Sequence, residues 1–382
     1  MAMTDAPQRV RVSGSVRAES TVKRLDAVLI AAVVALSGIG LVMVYAASRD
    51  SLLAVGADPG LYLKKQIIFM TFGLVAGAAA VRLDYRNFLE RMPLAFVVMT
   101  VALLGLFLVP AKNGAHGWYQ LGLFQLQPAE FGKIVIIGGL ASYGAAQRNQ
   151  LDLRRFIVFL AIAGFPTMLV FLQPDLGTAL VYLSIVLVMA WLGGAQGKHV
   201  LGLVASGIAM AWLMIRFGVL KDYQVKRLTS FIDASASAQD AAYNVFQSKI
   251  AIGAGGVTGQ GLFQGTQTRG SWVPARHTDF IFSVVGEQLG FAGGILVVLL
   301  FGIICWRIWR AAVVSRDPEG MLLCGGVLGM FVFQIFENIG MTMGIMPVTG
   351  IPLPFLTYGG SSTIMAFFAI GLVLNVAASR FR

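Results

Sequence analysis

Charged side chains are scarce in this sequence, at 12% of 382 residues, where an average soluble domain carries about 25%. With 57% hydrophobic residues beside them, there is too little charge to cover the surface of an ordinary soluble domain. Acids are the rarer sign, 18 against 29 Lys and Arg. Cysteine is nearly absent. Cys305 and Cys324 fall near predicted cytoplasmic helix ends, where thiols stay reduced, which argues against a structural disulfide. The histidines His116, His199 and His277 have no partner at ligand spacing, so no zinc-type cage is legible. The glycine-rich run Gly253 to Gly261 follows no strand and carries no Walker lysine. It reads as a close backbone approach in a loop that dips back toward the membrane. The net charge of +11 comes with no zinc-finger spacing, helix-turn-helix or aromatic-basic surface. Nucleic acid is therefore not an expected partner, and anionic membrane lipid facing the cytoplasmic loops accounts for the excess.

What is present is hydrophobic length. Apolar runs near 26–47, 65–82, 90–110, 127–146, 155–172, 176–194, 199–217, 279–306, 320–344 and 361–379 are each long enough to cross about 30 Å of hydrocarbon. The predicted fold class is an all-α polytopic membrane protein with about ten transmembrane helices. A large extracellular loop, about 218–278, joins spans seven and eight. The polar breaker Gln173-Pro174-Asp175-Leu176-Gly177 divides what would otherwise be one long helix. Residues 1–24 read as a cytoplasmic polar tail and 25–382 as one membrane domain. Ten spans put both termini on one side. That side holds Arg9, Arg11, Arg17, Lys23 and Arg24, then Arg82, Arg86, Arg91, Arg148, Arg154, Arg155, Lys198, Arg307, Arg310, Arg316, Arg380 and Arg382. The opposite short loops hold only Arg49, Lys64, Lys65 and Lys112. The basic bias makes the termini cytoplasmic and the long loop external. The tail has no apolar h-region or cleavage site, so the first span reads as an uncleaved anchor.

Polar residues at membrane depth stand out against this background. Glu130 and Lys133 lie three apart, on one face of a helix entering from outside. Asp175 sits in an external break between spans. Asp279 ends the polar segment that begins at Trp272, where a hydrophobic helix starts, and an ionised carboxylate beside hydrocarbon is costly unless solvated, paired or used. Glu287 lies eight residues further on, and Glu337 and Asn338 come late in a helix rising from the cytoplasm. Their shared outer depth predicts one polar cavity opening to the exterior. Structural readings stand beside these. Glu130 and Lys133 can neutralise each other within the packing, and Asp279 can be a helix N-terminal acid behind a Thr278 cap. Asp175 after Pro174 is a common helix start. The stretch Pro347 to Ser362 is too rich in proline and glycine to be helical, and Ser361 and Ser362 can cap the last span.

Five ordered segments carry a family resemblance: Gln127-Pro128-Ala129-Glu130-Phe131-Gly132-Lys133, Gln173-Pro174-Asp175-Leu176-Gly177-Thr178, Gln247-Ser248 with Ala251-Ile252-Gly253, His277-Thr278-Asp279-Phe280-Ile281-Phe282, and Gly350 to Ser362. Together they resemble the SEDS proteins (shape, elongation, division and sporulation) over nearly the whole chain. Gly265-Thr266-Gln267 and Thr349-Gly350-Ile351-Pro352-Leu353-Pro354-Phe355 look more like the elongation branch, RodA, than the division branch, FtsW. The resemblance implies a peptidoglycan glycosyltransferase of the bacterial plasma membrane that polymerises lipid II on the outer face. It implies a class B penicillin-binding protein, a transpeptidase, as partner. It also implies that Asp279 is essential for catalysis and that Glu130, Lys133 and Asp175 line a central cavity. The family often has an acid before the His-Thr-Asp run and an arginine before Trp118, where this chain has Ala275 and Gly117.

The substrate defines the chemistry that the resemblance implies. Lipid II carries a sugar α-linked to polyprenyl diphosphate and the glycan is β-1,4-linked, so one inverting displacement is the simplest route. Asp279 suits the base that takes the acceptor hydroxyl proton. Lys133, Arg227 and Arg276 are candidates to stabilise the departing diphosphate, and His277 joins the expected substrate contacts. A divalent cation (Mg or Mn) bridging phosphate oxygens would arrive with substrate, since no dedicated oxygen cage is legible. Three alternatives remain open: the division-type polymerase of the same family, a lipid II transporter, since broken helices around a polar cavity also build secondary transporters, and a scaffold that only activates its transpeptidase partner.

Overall fold

The computed structural model describes residues 25–109, 117–122, 124–147, 150–218 and 241–379. The polar tail 1–24, Arg227 and the loop segment 219–240 lie outside the described residues. The helices are α1 (Ala27–Ala54), α2 (Leu61–Arg82), the short α3 (Tyr85–Glu90), α4 (Met92–Gly105), α5 (Pro128–Ala146), α6 (Leu153–Leu172), α7 (Leu176–Leu192) and α8 (Gly197–Arg216). After the undescribed segment come α9 (Ala241–Ala254), α10 (Thr266–Arg269), α11 (Ile281–Val313), α12 (Pro318–Met343) and α13 (Gly360–Ser379). Each predicted span has its helix. Seven are long and apolar enough to cross a membrane, and α4 with its 3-10 extension and α7 are shorter apolar helices. The tenth is α5, whose first turns hold Glu130 and Lys133. Among the described residues one element is not helical: β1 (Tyr119–Leu121) and β2 (Phe124–Leu126) form an antiparallel hairpin, Tyr119 opposite Leu126, that leads directly into α5.

The few acids are concentrated at helix starts. Asp26, Asp84, Asp152, Asp175 and Asp317 each accept a backbone N–H in the first turn of the helix they precede, a cap worth about 1 kcal/mol. Two of them also tie helices together. Arg307, near the end of α11, donates from Nε to Asp26 at 2.6 Å, and Arg86 donates to Asp317 at 2.6 Å. The starts of α1, α3 and α12 and the end of α11 therefore meet at one end of the bundle.

Small residues allow the closest crossing. α2 and α13 meet through Gly73, Gly77 and Gly371, and a Cβ on Gly371 would stand 2.4 Å from the Gly77 carbonyl oxygen. Without a hydrophobic drive between helices in lipid, such close packing is what holds them together. α12 runs through the middle of the bundle, touching α5, α7, α11 and α13. α8 has no buried residue.

The glycine-rich run makes the backbone approach expected of it, and it does so by entering the hydrogen-bond ladder of α11. Gly290, at φ +67°, breaks that helix. The amides of Phe291 and Ala292 would ordinarily bond the carbonyls of Glu287 and Gln288. Instead they bond the loop carbonyls of Gly256 (2.9 Å) and Val257 (3.1 Å), and the carbonyls of Glu287 and Gln288 accept from Gln260 (3.0 Å) and Gly261 (3.1 Å). All four exchanged groups keep a partner, as burial requires. The fit leaves no room for side chains: a Cβ on Gly255 would lie 1.9 Å from the Gly286 oxygen. Gly255→Ala is expected to destabilise the purified protein by about 1–3 kcal/mol through overpacking. Gly253→Ala, with open space around it, should leave the melting temperature in detergent unchanged, and equal melting of the two variants would refute the zipper.

Beyond that seam, α9 lies on the start of α11 and the end of α12. Val245, Ala251, Val273, Phe280, Met341 and Val348 form a small apolar cluster there, and the Ser248 hydroxyl donates to the Thr342 carbonyl at 2.8 Å.

Candidate active site

Pro128 opens α5, where its fixed φ suits the first turn, and Glu130 and Lys133 consequently face the same way. Lys133 Nζ donates to Glu130 Oε1 at 2.6 Å, with side chains only 2% and 5% exposed. They line a cavity with Gln334 of α12, Thr357 of the connection into α13, and Ser362 and Thr363 in the first turn of α13. The space is about 20 Å³, room for about one water. A buried ion pair is no more stabilising than an apolar pair of the same volume, so packing alone does not account for it.

The start of α5 is fastened from several sides. The Tyr182 hydroxyl donates to the Ala129 carbonyl at 2.7 Å, and Ser361 accepts from the Gln127 amide at 3.1 Å while donating to the Gln125 carbonyl. Gln127 reaches Asp175 Oδ2 at 3.1 Å. Asp175 itself caps α7, accepting from the Thr178 amide (3.0 Å) and hydroxyl (2.8 Å). Its helix-start reading is thus realised, one residue away from the Glu130 and Lys133 helix through Gln127. Gln66, a polar residue in the apolar α2 that the sequence reading passed over, donates to the Thr357 carbonyl and the Thr363 hydroxyl and accepts from the Gly359 amide. Its signal was present: a glutamine inside an apolar span.

Asp279 precedes α11 by two residues. Thr278 does not act as the expected cap: its hydroxyl donates to the Ala275 carbonyl at 3.1 Å, and Phe280, flanking the helix, supplies no side-chain cap. The Asp279 carbonyl accepts from Asn338 Nδ2 at 2.9 Å. Its carboxylate lies beside Gly350, where a Cβ would stand 3.3 Å from Oδ2. Asp279 thus faces the Thr349 to Ile351 segment, whose continuation, Pro352 to Phe355, walls the Lys133 cavity.

Among the described residues these acids are divided among separate tasks. Glu287 is fully buried and accepts from the Gln267 amide (2.6 Å), the Thr268 amide (3.0 Å) and the Thr268 hydroxyl, so it anchors the loop. Arg276, a candidate diphosphate contact, turns to α1, donating to the Ala47 carbonyl at 2.6 Å and to the Ser271 hydroxyl at 3.0 Å. Burial pulls its guanidinium below the usual value, opposed by the charges of Asp50 and Glu287. His277 packs its ring 4.6 Å from Tyr62 and 5.9 Å from Tyr358. Burial, helped by the neighbouring Arg276 charge, holds its imidazole below the ordinary range, which favours the neutral ring. Among the described residues no group of three or more His, Cys, Asp and Glu could hold a metal ion.

A family model described as a cell cycle protein, FtsW/RodA/SpoVE, matches residues 27–381. The chain is 35% identical over 360 residues to the probable peptidoglycan glycosyltransferase FtsW of Trichlorobacter lovleyi, covering 92% of this chain and 93% of that protein. It is 32% identical to the peptidoglycan glycosyltransferase RodA of Treponema pallidum, covering 94% and 98%. A solved structure described as the structural coordination of polymerization and crosslinking by a peptidoglycan synthase complex superposes with a TM-score of 0.76 at 29% identity, covering 94% of this chain and 99% of that one. A multi-pass bundle whose match runs essentially from end to end leaves one assignment: the chain belongs to the FtsW/RodA/SpoVE (SEDS) family of peptidoglycan glycosyltransferases.

Proposed function

We propose that this chain polymerises lipid II into β-1,4-linked glycan on the external face of the plasma membrane, with Asp279 as general base and Lys133 as the cation that steadies the departing diphosphate. The observation that carries the assignment is the buried Lys133 and Glu130 pair lining a cavity, because stability alone gives no reason to keep a charge there. The acceptor hydroxyl attacks the anomeric carbon as Asp279 takes its proton, and the sugar to diphosphate bond breaks with its electrons leaving on the phosphate. Arg227 is a further candidate for the leaving group. A divalent cation, Mg or Mn, would come bound to the diphosphate, and the chain would contribute the lysine. A class B penicillin-binding protein would receive the glycan for crosslinking.

Two branches of the family remain in play. The Gly265-Thr266-Gln267 and Thr349 to Phe355 motifs favour an elongation role, while identities of 35% to a division-type and 32% to an elongation-type relative do not separate them. Depletion of the protein in its own cells, read as rounding or as filamentation, distinguishes elongation from division. The activity itself is tested by incubating the purified chain with labelled lipid II, with and without a class B partner, and separating glycan on a gel. Movement of lipid II across vesicles with no glycan formed would replace the enzyme by a transporter.

The outward orientation rests on the basic loops. In a variant with Cys305 and Cys324 replaced by serine, Val257→Cys, on an exposed loop residue, is expected to react in intact cells with a membrane-impermeant thiol reagent, while Arg154→Cys stays unlabelled. Any outer membrane is permeabilised first. The reverse pattern would turn the site to the cytoplasm.

A further inference from the structure

A buried acid stands behind the half-buried Asp279 and is not used by the proposed chemistry. Glu337 of α12 is fully buried. Its Oε1 accepts from the Thr349 hydroxyl, and its Oε2 has no partner among the described residues. The residue after Thr349 is Gly350, at φ +75°, whose backbone lies against the Asp279 carboxylate, with a Cβ position 3.3 Å from Oδ2. Asn338, next after Glu337, donates to the carbonyls of Asp279 (2.9 Å) and Ile351 (2.8 Å). Two consecutive residues of α12 therefore hold both sides of one contact, the mouth of α11 and the turn that leans on it. A buried carboxyl with an idle oxygen is unfavourable where an apolar side chain would pack, so its retention calls for a task.

We propose that Glu337 is a positioning residue for glycosyl transfer: through the Thr349 hydroxyl it seats Gly350 against Asp279 and fixes the direction in which that carboxylate points. The inference rests on the reading of Asp279 as the base. A misdirected base slows the chemical step while substrate still binds. The variant Glu337→Gln keeps a carbonyl oxygen for Thr349, whereas Glu337→Leu and Thr349→Val each break the link.

Glycan synthesis from labelled lipid II is expected to show kcat lowered about 10- to 100-fold for Glu337→Leu and Thr349→Val at unchanged KM, since an error of about 1 Å in placement costs about that much. Glu337→Gln should keep at least half the wild-type kcat. The double variant Glu337→Leu with Thr349→Val should be no slower than either single one, because both cut one link. Hydrogen exchange gives a readout independent of activity: the peptide spanning Val348 to Leu353 should lose protection in Glu337→Leu and Thr349→Val and keep it in Glu337→Gln. Wild-type kcat in Glu337→Leu, or unchanged exchange in that peptide, would overturn the proposal. So would a loss in Glu337→Gln equal to that in Glu337→Leu, which would make charge the operative property. If the wild-type chain forms no glycan at all, the functional reading falls, and the exchange pattern alone decides whether Glu337 seats the turn.

Discussion

Replacing Asp279 by asparagine is expected to abolish glycan formation while leaving expression, melting temperature and partner binding close to wild type. Asparagine has the volume of aspartate and keeps an acceptor oxygen, and the clamp on this position is made by the backbone carbonyl that Asn338 holds, which the substitution does not touch. Only the proton-accepting charge is removed. Loss of a general base costs about 10²- to 10⁴-fold in rate, enough to take a gel assay from a ladder of products to none. A folded Asp279→Asn protein polymerising within a few fold of wild type would end the catalytic assignment, and one that unfolds would make Asp279 a structural acid.

The second large effect is expected at the Lys133 and Glu130 pair. Removing either member alone strands a charge in the interior, at about 3–5 kcal/mol, so single alanine variants should express poorly and say little about mechanism. Exchanging the two charges is more discriminating. In the double variant Glu130→Lys with Lys133→Glu the interior stays neutral, so the protein should fold. It should form no glycan, because the cation now sits a turn nearer the helix start and a carboxylate stands where the diphosphate would rest. Full polymerisation by a normally melting exchange variant would return Lys133 to a packing role.

The ten spans were legible because each is written in contiguous apolar length, and Asp279 because an acid at the mouth of an apolar helix contrasts with everything after it. The hairpin Tyr119 to Leu126 was not, since three-residue strands are too short to show alternation. In the sequence Arg276 is a candidate to stabilise the departing diphosphate. Its actual acceptor, the Ala47 carbonyl, lies in α1, and no local pattern announces a bond between residues so far apart. Glu287 lies eight residues beyond Asp279, close to a helical repeat, but Asp279 precedes the helix and the loop at Gln267 and Thr268 folds over to meet Glu287. Thr278 had the composition of a cap without the geometry, because the chain turns at Ala275 before the helix begins.

The break at Gly290 has a mechanical meaning. The carbonyls of Glu287 and Gln288 and the amides of Phe291 and Ala292 can bond each other in a straight rod or bond the strand from Gly256 to Gly261, and they cannot do both. A straightened α11 and a seated glycine strand are mutually exclusive. The loop therefore bridges the break, holding the stub from Ile281 to Leu289 through Gln260 and Gly261 and the remainder of α11 through Gly256 and Val257. Asp279 sits just ahead of that stub, so the two bonds from Gln260 and Gly261 join the glycine-rich loop to the piece of backbone that carries the carboxylate.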